Sequence, residues 1–271
     1  MFHVQRLDSL DLPELAPYRT MRRQYEQRQQ GIFVAEGEKV VRRLLASELR
    51  VISVLLPQKW LEELAPLLRA RSDEIRVFVA EKALLETLTG YSMYQGLLAV
   101  GQVPKAVPLA EILARSPKPW LLAAAAGLAN AENLGALVRN CAAFHVHALI
   151  VGETSSSPFL RRAVRSSMGT VFELPIVETA SLVETLRELR QRGVRGLAAH
   201  PQQPARRLSQ ADFRGDCCIL FGSEGLGLAP AILKQCDEAL AIPMPPTVDS
   251  LNVGSAAAVF LYEANRQRGK I

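Results

Sequence analysis

Three polar stretches in the second half of the chain could support chemistry, and each follows an apolar run typical of a β-strand. They read NAENLGALVR at 130–139, LFGSEGLGLAP at 220–230 and IPMPPTVDSLNVGS at 242–255. In open parallel sheets, ligands bind at the carboxyl ends of the strands. We therefore expect these stretches to bind a ligand.

Each stretch also has a simpler interpretation, in which it only shapes the backbone. Asn133 could cap a helix, Gly135 could allow close packing, and Arg139 could lie on a solvated helix face. Asp249 or Ser250 could cap the final helix. The second stretch has the glycine spacing GxxGxG rather than GxGxxG, and no acidic residue ends the next strand. Both features disfavour a nicotinamide-binding site.

The pattern of apolar runs divides the 271 residues into two α/β regions. Residues 1–105 are predicted to be a small α/β domain that begins with a helical or partly mobile lead-in over 1–30. Residues 106–119 are proline-rich and read as a linker, and residues 120–271 alternate between strands and helices. Strands are predicted at 31–35, 51–56, 75–79, 96–100, 120–126, 147–151, 171–177, 195–200, 217–222 and 238–243, and helices at 59–70, 81–89 and 251–266. Runs that are apolar throughout favour a parallel sheet that is covered on both faces.

Composition excludes several other classes of protein. The chain is 49% hydrophobic and 22% charged, and its net charge of +5 is spread over both regions. These values exclude a disordered tail and a collagenous chain. The four cysteines show no paired spacing, and no apolar run is long enough to span a membrane. We therefore expect a cytoplasmic protein with no membrane partner.

The three stretches, in this order, resemble the motifs of the SpoU (TrmH-like) family of RNA ribose 2′-O-methyltransferases, in the SPOUT superfamily. NLGALVR resembles the family's Asn-x-Gly-x-x-x-Arg motif, LFGSEGLGL its second motif and IPMPPTVDSLNVGSAAA its third. FVAEGEKVVRRLL at 33–45 and YSMYQGLLAV at 91–100 are similar to an N-terminal substrate-binding domain of many members, which resembles ribosomal RNA-binding proteins. The chain departs from the family at Ala131 and Glu132, where Asp-Pro is common, and at Gly254, where Ser is common.

This resemblance implies a fold, a cofactor and a set of site residues. The fold would be a parallel α/β domain with a deep trefoil knot, and S-adenosylmethionine would bind against the knot loops. The cofactor-binding positions would be Ala199, Gly222, Ile242 and Leu251. Glycine is expected at 222 because a Cβ there would hold the backbone away from the cofactor. The catalytic positions would be Asn133, Arg139, Glu224, Ser250 and Asn252.

Arg139 matches the arginine of the family, which faces the cofactor of the other subunit in a homodimer. A guanidinium is a poor general base because its pKa exceeds about 12. Arg139 is therefore expected to orient the ribose 2′-hydroxyl or a phosphate and to stabilise the developing alkoxide. Asn133 would hold the arginine or the ribose, and Glu224 would orient the arginine. Ser250 and Asn252 would complete the polar site.

RNA contacts are expected from arginines, because guanidinium groups bind phosphates in a bidentate manner. The candidates are Arg22, Arg23, Arg42, Arg43, Arg161, Arg162 and Arg165. Each of them could instead lie on a solvated helix face. His145 and His147 have no third ligand near them, so no metal site is predicted.

The favoured interpretation is an enzyme that methylates ribosomal RNA, because the minimal tRNA enzymes of this family often lack the first domain. Two alternatives within the family are a tRNA 2′-O-methyltransferase and an enzyme that methylates ribosomal RNA against an antibiotic. An alternative from another class is a non-catalytic RNA-binding or ribosome-assembly factor. The presence of Arg139 and Asn252 argues against this last class.

Overall fold

The computed structural model describes residues 2–89, 96–201 and 206–270. They divide into two compact units, Met1–Lys105 with Phe159–Phe172 and Ala106–Pro158 with Glu173–Ile271. The strands, in chain order, are β1 (Phe2–Leu7), β2 (Ile32–Glu36), β3 (Val51–Leu56), β4 (Ile75–Ala80), β5 (Leu98–Gln102), β6 (Leu121–Ala126), β7 (Ala148–Val151), β8 (Ile176–Glu178), β9 (Arg195–Ala199), β10 (Arg206–Arg207), β11 (Cys217–Gly222) and β12 (Glu238–Ala241). The α-helices are α1 (Ala16–Arg19), α2 (Gln24–Gln29), α3 (Glu38–Ala46), α4 (Gln58–Arg69), α5 (Lys82–Thr89), α6 (Leu109–Arg115), α7 (Ala131–Ala143), α8 (Arg161–Ser166), α9 (Leu182–Gln191), α10 (Pro230–Leu233) and α11 (Val253–Gln267).

The first unit is built on a mixed sheet with the strand order β1-β4-β3-β5-β2. β1, β4 and β3 run parallel, whereas β5 is antiparallel to both β3 and β2. The prediction of a helical or partly mobile lead-in is wrong for Phe2–Leu7, which forms an edge strand. Only Leu7 of this strand is buried, and the strand lacks the apolar run by which a central strand is recognised in a sequence. Its pairing with β4 decides its conformation.

The second unit is built on a fully parallel sheet with the order β10-β12-β9-β11-β6-β7-β8. The prediction of a parallel α/β fold is therefore confirmed. The central strand β6 reads LLAAAA and is buried along its whole length, as expected for a strand covered on both faces. Helix α9 packs Leu182, Leu186 and Leu189 on the core, and Ser181 caps it by accepting a hydrogen bond from the Glu184 amide at 3.3 Å.

Three boundaries differ from those expected from the sequence. Residues 106–119 do not form only a linker, because α6 lies within them and buries Ile112 and Leu113 in the core of the second unit. Residues 159–172 belong to the first unit, although all of 120–271 was expected to form one domain. The strand predicted at 171–177 is shorter, because its apolar start is a 3₁₀ turn whose Phe172 stacks on Phe33 at 5.4 Å. Residues 90–95, which include most of the YSMYQG motif, lie outside the described residues.

No helix in the described ranges is long and apolar enough to cross a membrane. The described cysteines pack as small apolar side chains, because Cys141, Cys217 and Cys218 are buried and none is in a disulfide. Burial raises the pKa of each of these three thiols. The thiols are therefore expected to be poor nucleophiles.

His147 joins β6 to the start of β7. Its amide donates to the Leu121 carbonyl at 2.8 Å, and its ring Nδ1 accepts from the Leu121 amide at 3.0 Å. Burial lowers the pKa of His147. The unfolded chain therefore binds the proton more tightly than the folded chain does. Stability from this group is complete above the unfolded pKa of about 6.5 and is lost as the pH falls below it.

His147→Asn is expected to flatten the fall in stability between about pH 7.5 and about pH 5.5, because Asn retains an acceptor for the Leu121 amide but does not titrate. Denaturant unfolding at the two pH values measures the effect. His145→Asn is the matched control, since His145 is exposed and has a φ of 52°, which Asn tolerates. An unchanged pH dependence in His147→Asn would contradict this role for His147.

Candidate active site

Two helix caps at the carboxyl edge of the second sheet position the polar residues. Asn130 caps α7 by accepting a hydrogen bond from the Glu132 amide at 2.8 Å. Asn252 caps α11 by accepting from the Gly254 amide at 2.9 Å. The interpretation of Asn133 as a cap is therefore wrong, as is the interpretation of Asp249 or Ser250 as the cap of the final helix.

Asn133, Glu224 and Asn252 form one hydrogen-bonded group, which we call the amide–carboxylate cluster. The Asn133 Nδ2 atom donates to Glu224 Oε1. The Asn252 Nδ2 atom donates to Asn133 Oδ1 at 3.1 Å and to Glu224 Oε1 at 3.2 Å. Because the Asn252 Oδ1 atom accepts from the helix backbone, the cap also fixes which way the amide of Asn252 points. The three residues come from three separate parts of the chain.

The cluster leaves acceptor capacity for a ligand. Both amide donors bind the same oxygen of Glu224, Oε1. Within the described ranges no group donates to the second oxygen, Oε2, and the side chain of Glu224 is exposed to solvent. The cluster therefore holds the Glu224 carboxylate through Oε1 and leaves Oε2 to accept from a hydroxyl group or a guanidinium group.

The glycine-rich stretch forms a tight turn directly after β11. The Ser223 amide donates to the Gly227 carbonyl and the Gly227 amide donates to the Ser223 carbonyl, both at 3.0 Å. A Cβ on Gly222 would lie 2.3 Å from the Gly227 carbonyl carbon and 2.6 Å from the Leu228 amide nitrogen. The structure therefore adds a second reason for glycine at 222: a side chain there would collide with the turn itself.

A cavity of about 620 Å³ opens beside this turn. The ends of β9, β11 and β12 and the start of α11 surround it, and Phe221, Leu240 and Phe260 form an apolar part of its wall. All four positions expected to bind the cofactor line the cavity: Ala199, Gly222, Ile242 and Leu251. Three of the expected catalytic positions line it too: Glu224, Ser250 and Asn252.

Arg139 and Ser250 are not part of the amide–carboxylate cluster. Arg139 is exposed on α7, six residues after Asn133, which places it about 240° around the helix and about 9 Å along it. Arg139 does not line the cavity of its own chain, and among the described residues it has no hydrogen bond or ion pair. Ser250 lines the cavity and likewise has no hydrogen bond to a described residue.

The arginines expected to bind RNA lie in the first unit, and most of them are engaged within it. Arg42 pairs with Glu38 at 2.9 Å and with Glu63 at 3.1 Å, and Arg23 pairs with Glu26 at 3.3 Å. Arg165 pairs with Glu36 at 3.0 Å, and Arg161 pairs with the same carboxylate. Arg43 donates to the Met168 carbonyl at 2.7 Å. The side chain of Arg161 is only 12% exposed. Arg22 and Arg162 are exposed and have no such partner within the described ranges. Glu36 was not expected to engage arginines from the sequence, where its only distinguishing feature is that it is the single acid in an apolar strand.

Sequence reasoning also missed several residues that line the cavity. They are His200, Phe221, Leu226, Met244 and Phe260. The signal for His200 was its position directly after β9, next to Ala199. The signal for Leu226 was its place in the glycine-rich turn, where it is 93% exposed.

Comparisons with known proteins identify a family and several proteins that this chain is similar to. The profile of the SpoU rRNA Methylase family matches residues 121–262. An uncharacterized tRNA/rRNA methyltransferase of Mycobacterium avium is 34% identical over 74% of this chain and 65% of its own length. The 23S rRNA (guanosine-2′-O-)-methyltransferase RlmB of Ralstonia nicotianae is 33% identical over 74% of this chain and 81% of its own. The SpoU methyltransferase AviRb of Streptomyces viridochromogenes, solved in complex with AdoMet, is 26% identical, with a TM-score of 0.78 and coverage of 93% of this chain and 98% of that one.

A parallel α/β domain has a cavity at the carboxyl edge of its sheet, the second and third motifs line that cavity, and Asn133 of the first motif bonds to a residue of each. These features define the class of an RNA 2′-O-methyltransferase. The chain belongs to the SpoU rRNA methylase family. Its cofactor is S-adenosylmethionine, and its reaction is methylation of a ribose 2′-oxygen in RNA.

The cavity suits this cofactor in size and in lining. Pockets for small ligands typically enclose about 300–1,000 Å³ and combine apolar walls with a few polar groups. Here, the apolar wall at Phe221, Leu240 and Phe260 suits a flat adenine ring, and polar groups lie in the turn after β11 and the loop before α11. One buried ring nitrogen, His200 Nδ1, lacks a partner in the described structure, which leaves a polar group for a ligand.

Proposed function

We propose that this enzyme methylates one ribose 2′-hydroxyl of ribosomal RNA, at a site where the amide–carboxylate cluster meets the cavity. The single observation that supports the proposal best is the geometry of Glu224. Asn133 and Asn252 hold one of its carboxylate oxygens, and its other oxygen is left for a ligand beside the cavity. Preorganised polar groups of this kind lower the barrier to a reaction, because they need not reorganise as charge develops.

When bound, S-adenosylmethionine supplies a methyl group on a sulfonium sulfur, which is transferred to the ribose oxygen. The residues of this chain have to orient the 2′-hydroxyl and stabilise the negative charge that develops on it. Arg139 serves this purpose as a cation, because its guanidinium group carries a positive charge and can donate several hydrogen bonds. The free oxygen of Glu224 orients that guanidinium or the ribose, and Ser250 adds a hydroxyl at the same cavity.

The position of Arg139 supports a homodimer with a shared site. Arg139 does not line the cavity of its own chain, so it would act on the cavity of a second copy. On α11, Val259 is 41% exposed and Tyr262 is 53% exposed, which supplies an apolar face for that copy. The Asn140 Nδ2 atom donates to the Gly254 carbonyl at 2.5 Å and ties α7, which carries Arg139, to α11, which carries this face.

Further parts of the proposal rest on family membership. The cofactor is expected to bind against the loops of the trefoil knot. The knot would therefore include the loops from β11 to α11, because these loops line the cavity. The first unit would bind RNA through Arg22 and Arg162, which are its exposed candidates without an ion pair among the described residues. With ribosomal RNA as the substrate, the enzyme would act in the cytoplasm.

The experiment that tests the function is mass-spectrometric mapping of ribose methylation in ribosomal and transfer RNA. Cells that lack the gene are compared with cells that carry wild type or Arg139→Ala. We expect one methylated nucleotide of ribosomal RNA to vanish on deletion and to return only with wild type. Loss of a tRNA methylation would favour the tRNA alternative. No change in either RNA would favour the assembly factor or an enzyme that is made only under antibiotic exposure.

Asn252→Asp is expected to separate the capping role of Asn252 from its role in the cluster. Asp still accepts from the Gly254 amide, so the helix cap is retained. Its second oxygen then faces Glu224 Oε1 in place of a donor, and two carboxylates repel each other. We expect methyl transfer to fall by roughly tenfold or more.

Asn130→Asp is the matched control for this substitution, because it makes the same change at the cap of the neighbouring helix α7. It should keep full activity. Asn252→Ala, by contrast, should also lose about 1 kcal/mol of stability with the cap. Full activity in Asn252→Asp would show that the cluster does not position the reacting groups.

A further inference from the structure

His200 lies directly after β9, between the ends of the two strands that flank it. Its amide donates to the Leu240 carbonyl at 3.0 Å, so its backbone is held as a continuation of the sheet. In the register of the sheet, the preceding residue Ala199 pairs with Leu240 on one side and with Phe221 on the other. All four residues line the cavity.

The side chain of His200 has an unmet hydrogen-bonding requirement. Its Nδ1 atom is buried and has no hydrogen-bond partner in the described structure. A Cβ built on Gly227 would lie 3.9 Å from this atom, so Nδ1 is close to the glycine-rich turn. Buried polar atoms are usually paired, because an unpaired one loses its hydration without compensation. An unpaired nitrogen in the wall of a ligand cavity is accounted for if the ligand supplies the partner.

We propose that His200 positions the nucleoside part of S-adenosylmethionine through a hydrogen bond at Nδ1. This inference rests on the proposed cofactor site. Leu240 and Phe221, which pair with Ala199 in the sheet, are apolar and suit the faces of a heteroaromatic ring. The edges of such a ring and the ribose hydroxyls both carry donors and acceptors that an imidazole nitrogen can bind.

The opposite part of the cofactor has a different chemical requirement. The amino-acid end carries charges, and the sulfonium must lie near the ribose oxygen that receives the methyl group. Glu224, with its exposed carboxylate, provides that polar environment in the turn after β11. The apolar surroundings of His200 therefore assign it to the nucleoside and not to the amino-acid end.

The test compares binding of two ligands by calorimetry in wild type, His200→Ala and His200→Asn. S-adenosylhomocysteine, the product that the cofactor leaves after methyl transfer, contains both the nucleoside and the amino-acid part. 5′-Methylthioadenosine contains the nucleoside but lacks the amino-acid part. We expect His200→Ala to weaken both ligands by the same factor, about five- to tenfold, which is the usual effect of one lost hydrogen bond. His200→Asn should recover most of the affinity, because its amide can replace Nδ1.

Stability without ligand distinguishes a positioning role from a structural one. Since Nδ1 has no partner among the described residues, His200→Ala should keep the melting temperature of the ligand-free protein. Unchanged affinity in His200→Ala, or weakening of S-adenosylhomocysteine alone, would overturn the assignment. If the melting temperature of ligand-free His200→Ala fell so far that unfolding explained the lost affinity, the assignment would be overturned as well. If wild type bound neither ligand, the proposed cofactor site itself would be wrong.

Discussion

Arg139→Ala is expected to reduce methyl transfer about 100- to 1,000-fold, which is the usual effect of removing one group that stabilises a developing oxyanion. The affinity for S-adenosylhomocysteine should stay at the wild-type value, because the proposed partner of Arg139 is the ribose 2′-oxygen of the RNA and not the cofactor. The melting temperature should also be unchanged, since Arg139 is exposed and unpaired among the described residues. Single-turnover methylation of ribosomal RNA and calorimetry measure these effects.

Arg192→Ala is the matched control for this variant. Arg192 is also exposed, lies at the end of a helix of the same unit, and has no side-chain partner in the described ranges. Its replacement should leave activity unchanged. Wild-type activity in Arg139→Ala would show that this arginine does not take part in the reaction.

Mixing two inactive variants tests whether Arg139 acts on a second copy. In a heterodimer of Arg139→Ala and Asn252→Asp, one site combines an intact cluster with an intact arginine. Random exchange makes half of the dimers mixed, so activity should recover to about a quarter of wild type. If each chain used its own arginine, every site would stay defective and no activity would return. The mixing experiment therefore separates a shared site from a site within one chain.

Gly222→Ala is expected to have the second large effect, on both the fold and the cofactor cavity. The added Cβ would lie 2.3 Å from the carbonyl carbon of Gly227 and 2.5 Å from its oxygen, so the backbone of the turn has to move. Such overpacking costs about 1–3 kcal/mol. The same displacement moves the wall of the cavity, and we expect cofactor affinity to fall by about tenfold or more. Thermal unfolding and calorimetry with S-adenosylhomocysteine measure the two effects.

Gly225→Ala is the control for the stability of the turn. It lies in the same turn, but a Cβ there would meet no atom within 4 Å, and its backbone does not require a positive φ. The variant should keep the melting temperature of wild type. If Gly222→Ala matched wild type in both melting temperature and affinity, the turn would be deformable and glycine at 222 would need another explanation.

The elements that surround the site were predictable from the sequence by local patterns. β6 and β11 are apolar throughout, and this pattern predicted buried parallel strands at nearly the observed bounds. Two of the three polar stretches after strands, 220–230 and 242–255, contribute residues that line the cavity. Local patterns succeed here because burial on both faces of a central strand constrains every residue along it.

The contacts between distant residues were decided by the tertiary structure. The sequence could not distinguish Asn130 from Asn133 as the cap of α7, because both are good caps and only the fold places Asn133 beside Glu224. It also could not show that Glu36 would engage Arg161 and Arg165, which are more than a hundred residues away in the chain.

The motifs and the apolar strands of this chain therefore determined its class and the position of the proposed cofactor cavity. The tertiary structure alone decided which side chains meet there, and that Arg139 lies away from the cavity of its own chain. It also decided that Phe2–Leu7 forms a strand, because the backbone hydrogen bonds to β4 outweigh a weak local preference. The physical reason is that burial leaves a pattern along the sequence, whereas a contact between distant residues depends on how the whole chain is connected.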